Sequence, residues 1–174
     1  MLVGISGKMR SGKDTVANYI EDTYGFEHLK FSMGIKEVYK KYNYIDSNGV
    51  KPRQAYQDLG QGIRSILGEN VWVHYTLGQY DPSKNTVISD VRQDNEFNAL
   101  KELGALIILV KTDEDIQRER LGHLGEGCDE TLNHETEHIT ESLADVVIYN
   151  NSSLEELYQK IDAIISPLIT ETKE

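Results

Sequence analysis

The chain has 174 residues, of which 39% are hydrophobic and 27% are charged, with 3 prolines and 14 glycines. This composition excludes a disordered tail or a disulfide-stapled miniprotein and predicts one globular domain over residues 1–174. The single cysteine, the net charge of −11 and the lack of a long apolar run predict a cytoplasmic protein that binds neither membranes nor nucleic acid.

Short apolar segments alternate along the chain with segments of helical periodicity. Strands are predicted at residues 2–6, 26–31, 86–90, 105–111 and 145–149. Helices are predicted at residues 13–23, 33–43, 53–67, 70–79, 93–103, 113–121, 134–143 and 154–169. Continuously apolar strands separated by helices are typical of an α/β fold, here a five-stranded parallel sheet with helices on both faces.

This pattern divides the domain into a core and two additions. The core comprises residues 1–31, 86–121 and 134–174, with a helical flap at about residues 32–85 and a lid at about residues 113–135. The acidic excess lies almost wholly beyond residue 112, so an anionic ligand has to be met by a local cluster of basic side chains.

The first strand is followed by a phosphate-binding pattern. Gly7 to Lys13 fits G-x-x-x-x-G-K and lies between an apolar strand and an amphipathic helix. In that setting backbone N–H groups and a helix N-terminus converge on phosphate oxygens, and Lys13 reaches the β- and γ-phosphates. Asp14 stands where Ser or Thr usually ligates Mg²⁺, so Thr15, or Asp14 through a water molecule, is predicted to take that role.

An acidic and a basic residue, Asp90 and Arg92, lie at the end of the third predicted strand. In α/β folds the carboxyl ends of the strands carry the ligand contacts. Asp90 is predicted to hold the water shell of Mg²⁺ and Arg92 to contact a phosphate. A structural salt bridge or a helix cap is the alternative interpretation of both residues.

These motifs together resemble the tailed-phage deoxynucleoside monophosphate kinases, which are related to the dephospho-coenzyme A kinases. The resemblance is carried by Gly7 to Thr15, by Ser89-Asp90-Val91-Arg92 with Asn95-Glu96, and by the segment 145–157. It extends to Arg53, Gln57, Gly60 and Arg64 in the flap, to Trp72 and to His138-Ile139-Thr140-Glu141.

The resemblance implies a three-layer P-loop NTPase fold and an enzyme that transfers the γ-phosphoryl group of Mg-ATP to a (deoxy)nucleoside 5′-monophosphate. Its cofactor would be Mg²⁺ and its partners small-molecule nucleotides. The implied ATP contacts are Gly7, Lys8, Met9, Arg10, Ser11, Gly12, Lys13, Asp14 and Thr15, with Asn150 and Asn151 beside the adenine. The implied acceptor contacts are Arg53, Gln57, Arg64 and Arg92, and the implied Mg²⁺ contacts are Asp14, Thr15 and Asp90.

The lid would supply one further arginine to the transferring group. Arg118 and Arg120 are two residues apart on a helix, about 200° around its axis, so both cannot face one phosphate. Arg118 is the one favoured by pattern, so the predicted catalytic residues are Lys13, Arg92 and Arg118.

A competing motif, H-E-x-x-H, occurs at His134, Glu135 and His138. On a helix it would place two histidines on one face for a catalytic zinc ion, as in metallopeptidases. His123 and Cys128 allow a structural zinc instead, whereas the polar surroundings favour a surface helix without metal.

Several functions therefore remain open: a deoxynucleoside monophosphate kinase, a dephospho-coenzyme A kinase-like enzyme, a zinc metallopeptidase and a non-enzymatic nucleotide-binding regulator. The sequence leaves base preference, the choice of ribose or deoxyribose, and a monomer or homodimer undecided.

Overall fold

The computed structural model describes residues 1–42, 53–122 and 141–171. Its strands are β1 (Leu2–Ser6), β2 (Glu27–Leu29), β3 (Thr86–Val91), β4 (Leu106–Lys111) and β5 (Val146–Tyr149). Its helices are α1 (Lys13–Tyr24), α2 (Met33–Tyr42), α3 (Arg53–Leu67), α4 (Val71–Leu77), α5 (Asp94–Glu102), α6 (Glu114–Gly122) and α7 (Leu154–Glu171), with a short 3-10 helix at Glu141–Leu143.

The five strands form one sheet in the order β2-β3-β1-β4-β5, and every neighbouring pair is parallel. The predicted parallel α/β fold is therefore confirmed. β1 lies at the centre, between β3 and β4, so the loop that follows β1 has a strand end on each side. This is where open parallel sheets bind their ligands, because the chain changes direction across the sheet there.

Alternating strand residues build a separate core on each face of the sheet. Val3 and Ile108 pack with α1 and α7 on one face, while Leu2 and Ile107 pack with α4 and α5 on the other. Strands covered on both faces need apolar side chains at successive positions, which explains their continuous apolar sequences. The helices α2 and α3 lie between β2 and α4 in the chain, within the predicted flap.

One strand is shorter than its sequence suggests. The apolar segment predicted β2 over residues 26–31, whereas the strand ends at Leu29. The reason is a side chain: the Asp90 carboxylate accepts the N–H groups of Phe31 at 2.7 Å and of Ser32 at 3.0 Å. Those donors are thereby withdrawn from the sheet, and the chain turns toward α2.

The helix predicted at residues 134–143 is only partly covered by the structure. Residues 134–140 lie outside the described residues, and Glu141–Leu143 forms a single 3-10 turn. None of the helices in the described ranges is both long and apolar enough to cross a membrane.

The Phe97 side chain tests the core beneath α5. It is fully buried, so Phe97→Ala should lower the free energy of unfolding by about 3–5 kcal/mol. Leu103→Ala is the control, because Leu103 is 48% exposed and its loss should change stability by less than about 0.5 kcal/mol. Equal shifts of the two variants in urea unfolding would contradict the packing described.

Candidate active site

The loop between β1 and α1 follows a path that only glycine can take at two positions. A β-carbon on Gly7 would stand 2.6 Å from the carbonyl oxygen of Val110, and one on Gly12 would stand 2.2 Å from Nδ2 of Asn150. Gly12 is the N-cap of α1 and has a φ of 101°, in the left-handed region. The two motif glycines therefore let the loop lie directly against β4 and the residue that follows β5.

The outer side of the loop is held by side chains from the far half of the sheet. The Ser11 carbonyl oxygen accepts hydrogen bonds from Asn150 Nδ2 at 2.8 Å and from Thr112 Oγ1 at 3.0 Å. Arg120 Nη1 donates to the carbonyl oxygen of Arg10 at 3.2 Å. These contacts fix the orientation of two successive peptide groups.

The neighbouring peptide group is held in the same way, since Gln117 Nε2 donates to the carbonyl oxygen of Met9. In a trans peptide unit the C=O and N–H groups point in opposite directions. With the carbonyls of residues 9–11 turned outward, the N–H groups of Arg10 and Gly12 point to the inner side of the loop. Inward N–H groups at a helix N-terminus form a binding site for an anion.

Lys13 adds a positive charge to this loop. Its side chain is only 6% exposed, and its Nζ donates to the carbonyl oxygen of Lys8 at 3.3 Å. The Ser11 hydroxyl is buried and has no hydrogen-bond partner within the described parts of the chain. Because buried polar atoms are nearly always paired, this hydroxyl is a donor suited to an anionic ligand.

The two arginines of α6 differ in their placement. Besides Arg10, Arg120 binds the carbonyl oxygen of Asn150 through Nη2 at 3.2 Å. Arg118 lies on an exposed face of the same helix. The structure thus brings Arg120 to the phosphate loop, whereas a role for Arg118 in the lid stays a prediction, because residues 123–135 lie outside the described residues.

A cavity of about 440 Å³ adjoins the phosphate loop on the side of β4 and β5. Its wall includes Lys8, Thr112, Gln117 and Tyr149. Asn151 accepts the N–H of Asp113 through Oδ1 at 2.9 Å and so orders the chain between β4 and α6, where Asp113 lines the cavity. That Asn150 and Asn151 lie beside the adenine stays a prediction.

The first turn of α1 carries the carboxylate that replaces the usual magnesium-binding hydroxyl. Lys30 Nζ donates to Asp14 Oδ1 at 2.8 Å. Partial burial raises the pKa of Asp14, but the hydrogen bond and charge of Lys30, with the charge of Lys13, outweigh it and lower the pKa overall. Asp14 is thus an ionised oxygen donor beside the loop, and with Thr15 it fits a Mg²⁺ ion that takes its other ligands from phosphate and water.

Asp90 has a structural task in addition to the predicted one. Both of its carboxylate oxygens accept the backbone N–H groups that end β2. Since each oxygen has a second lone pair, contact with metal-bound water stays a prediction. In the described ranges there is no cluster of three or more His, Cys, Asp or Glu side chains placed to hold a metal ion.

The side chain of Arg64 and the backbone of Arg92, two predicted acceptor residues, both contact one buried carboxylate. Arg64 Nη2 lies 3.6 Å from Oε1 of Glu96, and the N–H of Arg92 donates to Oε2 of Glu96 at 2.8 Å. Gln57 is half-buried on the same helix as Arg64. Arg53 begins that helix, and its side chain lies outside the described residues.

The flap helix that carries Arg64 is fixed to the core by its neighbours. Trp72 is buried in α4 and donates from Nε1 to the carbonyl oxygen of Gly60 at 3.1 Å. Asn95 Nδ2 donates to the carbonyl oxygen of Glu69 and to Oδ1 of Asn70, in the turn between α3 and α4. These contacts attach α3 to α4 and to the start of α5.

Sequence reasoning missed three residues that the structure places at the site. Lys30 follows β2 at the same edge of the sheet as Arg92, so the rule that found Arg92 could also have found Lys30. Glu96 was noted only as part of a motif, although Gln93-x-x-Glu96 has the spacing of a capping box. No pattern in the amino-acid sequence distinguishes Arg120 from Arg118.

The H-E-x-x-H motif at His134, Glu135 and His138 lies outside the described residues, as do His123 and Cys128. The zinc interpretations of these residues therefore stay predictions.

The strand order and the glycine-containing loop after the central strand define this chain as a protein with the P-loop NTPase fold. Comparison with solved structures agrees on the fold. A shikimate kinase from Acinetobacter baumannii in complex with shikimate has a TM-score of 0.56 and 19% identity, covering 95% of this chain and 93% of that one. TT1252 from Thermus thermophilus has a TM-score of 0.58 and 18% identity, covering 97% of each chain. A gluconokinase from Sinorhizobium meliloti has a TM-score of 0.57 and 14% identity, covering 98% of this chain and 94% of that one.

The family is shown by sequence comparison. The family model for deoxynucleotide monophosphate kinase matches residues 52–161. A protein of Acanthamoeba polyphaga mimivirus named "Putative deoxynucleotide monophosphate kinase" is 27% identical over 192 residues, covering 92% of this chain and 94% of that protein. This chain belongs to the deoxynucleotide monophosphate kinase family.

The contact between Gly12 and Asn150 can be tested by stability alone. Gly12→Ala should lower the free energy of unfolding by more than Gly25→Ala does. Gly25 follows the end of the same helix with a φ of 70°, and a β-carbon there would meet open space. We expect about 1 kcal/mol for Gly25→Ala from backbone strain alone.

Removing the Asn150 side chain should relieve the clash. The double variant Gly12→Ala/Asn150→Ala is therefore expected to lose less stability than the two single changes added together, as measured by urea unfolding. Strict additivity would show that the two residues do not contact each other.

Proposed function

We propose that this protein transfers the γ-phosphoryl group of ATP to a deoxynucleoside 5′-monophosphate, giving ADP and a deoxynucleoside diphosphate. The observation that carries the proposal is the register of two neighbouring strands. Ser6 of β1 is paired with Val91 of β3. Because adjacent strands lie about 4.8 Å apart, the phosphate loop that starts at Gly7 and the arginine at position 92 leave the sheet side by side.

The donor is accommodated on the β4 side of this edge. The inward N–H groups of Arg10 and Gly12 and the ammonium group of Lys13 suit the phosphates of ATP. The 440 Å³ cavity between the loop and Tyr149 suits the nucleoside, and Asn151 holds the backbone of Asp113 in its wall. A Mg²⁺ ion held by Asp14 and Thr15 would neutralise charge on the phosphate oxygens.

The acceptor is accommodated on the β3 side, beneath the flap. Arg64 and Arg92 are the cations for its phosphate, and Gln57 and Arg53 on the same helix α3 are candidates for further contacts. A nucleoside monophosphate has a second phosphate pKa of about 6, so at pH 7 it is already largely dianionic. The acceptor therefore needs no general base.

Catalysis then consists of alignment and charge stabilisation. An oxygen of the acceptor phosphate attacks the γ-phosphorus of ATP, the bond to the β,γ-bridging oxygen breaks, and ADP leaves. Lys13 stabilises charge on the transferring group, while Arg92 and Arg64 hold the attacking phosphate in line. In this scheme the basic residues approach the phosphates from both sides of the reacting bond.

A panel of acceptors with γ-labelled ATP tests the proposal. The four deoxynucleoside monophosphates, the matching ribonucleotides, dephospho-coenzyme A and shikimate would be incubated separately with the purified protein. We expect the label to appear in one or more deoxynucleoside diphosphates. Label in dephospho-coenzyme A alone, or release of inorganic phosphate with every acceptor, would overturn the assignment.

Lys13→Met removes the charge from the loop while keeping the aliphatic stem that packs there. We expect kcat to fall at least ~10²-fold, because a preorganised cation no longer stabilises the transferring group. Lys84→Ala is the control, since Lys84 is exposed and its Nζ lies 3.7 Å from Oε1 of Glu27 at the surface. Full activity of Lys13→Met in the labelled-ATP assay would remove the loop from the mechanism.

Arg92→Ala should damage use of the acceptor more than use of ATP. We expect kcat/KM for the acceptor to fall by ~10²–10³, with the KM for ATP changed only slightly. Steady-state kinetics with each substrate varied in turn measures the difference. Unchanged acceptor kinetics would assign Arg92 a structural role instead.

A further inference from the structure

A buried carboxylate lies beneath the two arginines of the acceptor side. Glu96 is in the first turn of α5 and is only 3% exposed. Its Oε2 accepts the N–H of Arg92 at 2.8 Å and the N–H of Gln93 at 3.1 Å. Its Oε1 lies 3.6 Å from Nη2 of Arg64. One side chain thus contacts the end of β3, the start of α5 and the flap helix α3.

Capping of helix α5 alone does not explain why the side chain at position 96 is charged. Gln93 and Glu96 form a capping box, in which each side chain accepts a backbone N–H of the other residue. A glutamine at position 96 would complete the same box without a charge. Burial, together with the nearby charge of Asp90, raises the pKa of Glu96 to about 7, so the site bears the cost of a buried carboxylate.

The guanidinium group of Arg64 explains why residue 96 is a charged glutamate and not a glutamine. Burial lowers the pKa of Arg64 and the charge of Glu96 opposes that shift, so the carboxylate offsets part of the cost of burying this cation. Its side chain is 15% exposed, and its Nε has no hydrogen-bond partner within the described parts of the chain. A guanidinium has five N–H donors in one plane, so it can face a carboxylate on one edge and a phosphate on another.

We propose that Glu96 is a positioning residue for the acceptor phosphate. Its carboxylate orients the Arg64 guanidinium and fixes the Arg92 backbone, so that one cation and the attachment point of the other are in place before the acceptor binds. The inference rests on the proposed acceptor role of Arg64 and Arg92.

Glu96→Gln is the variant that separates positioning from structure. The amide keeps the size of the side chain and can accept the backbone N–H groups, but its NH₂ group or neutral oxygen no longer holds a guanidinium. The change also removes a desolvated carboxylate that is ionised above pH 7. We therefore expect stability at pH 8 to be unchanged or higher, and the acceptor KM to rise about 10- to 100-fold with the KM for ATP unchanged.

Two control variants remove the other contacts of this helix end. Gln93→Ala breaks the capping box and leaves the Glu96 carboxylate facing Arg64. Asn95→Ala removes the hydrogen bonds to Glu69 and Asn70 that attach the flap. We expect both controls to lower the urea midpoint, and Gln93→Ala, which leaves the flap attached, to keep the acceptor KM within about twofold of the original protein.

Nuclear magnetic resonance of the arginine side chains gives a readout that does not depend on activity. In the unliganded protein the Arg64 Nε–H signal, assigned with Arg64→Lys, should be distinct and slow to exchange with water. In Glu96→Gln it should move toward the position of exposed arginines and exchange faster. An unchanged signal, or an unchanged acceptor KM in an active Glu96→Gln enzyme, would overturn the inference. If the original protein phosphorylated no monophosphate, the proposed function would fall, while the Arg64 signal would still decide whether Glu96 holds that arginine.

Discussion

The hydrogen bond from Asn150 Nδ2 to the Ser11 carbonyl oxygen is the contact on which the donor side of the cleft depends. It crosses from the residue after β5 to the loop after β1, and it fits only because Gly12 has no side chain. Together with Thr112, Gln117 and Arg120 it turns the loop carbonyls outward, so that peptide geometry turns the N–H groups inward. The loop conformation that the proposed phosphate site needs is thereby fixed by contacts within the protein itself.

On the acceptor side, too, side chains hold backbone groups in place, but here they are carboxylates and not amides. Asp90 ends β2 by taking two backbone N–H groups, and Glu96 holds the backbone of Arg92 and faces Arg64. Both acidic residues lie within a few positions of the end of β3. Acidic side chains thus fix the backbone around the end of β3 and face the basic side chain of Arg64, in a chain whose net charge is −11.

The periodicity of the sequence predicted the sheet and most helices closely, because strands buried on both faces and amphipathic helices leave unmistakable patterns. It failed at the end of β2, where apolar Phe31 continues the pattern but Asp90, 59 residues away in the chain, takes its N–H. It also gave no indication that Arg120 would bind the backbone of the phosphate loop. Contacts between distant segments decide these points, and no local pattern encodes them.

The central claim, that the phosphate loop and the arginines after β3 form two halves of one cleft, is tested most directly with a bisubstrate ligand. Calorimetric titration would compare ATP, each deoxynucleoside monophosphate, and an adenosine and a deoxynucleoside joined by five phosphates. Two sites on one cleft predict that the joined ligand binds at least ~10²-fold more tightly than either nucleotide alone, since the second contact becomes intramolecular. A joined ligand that binds no more tightly than ATP would contradict the account.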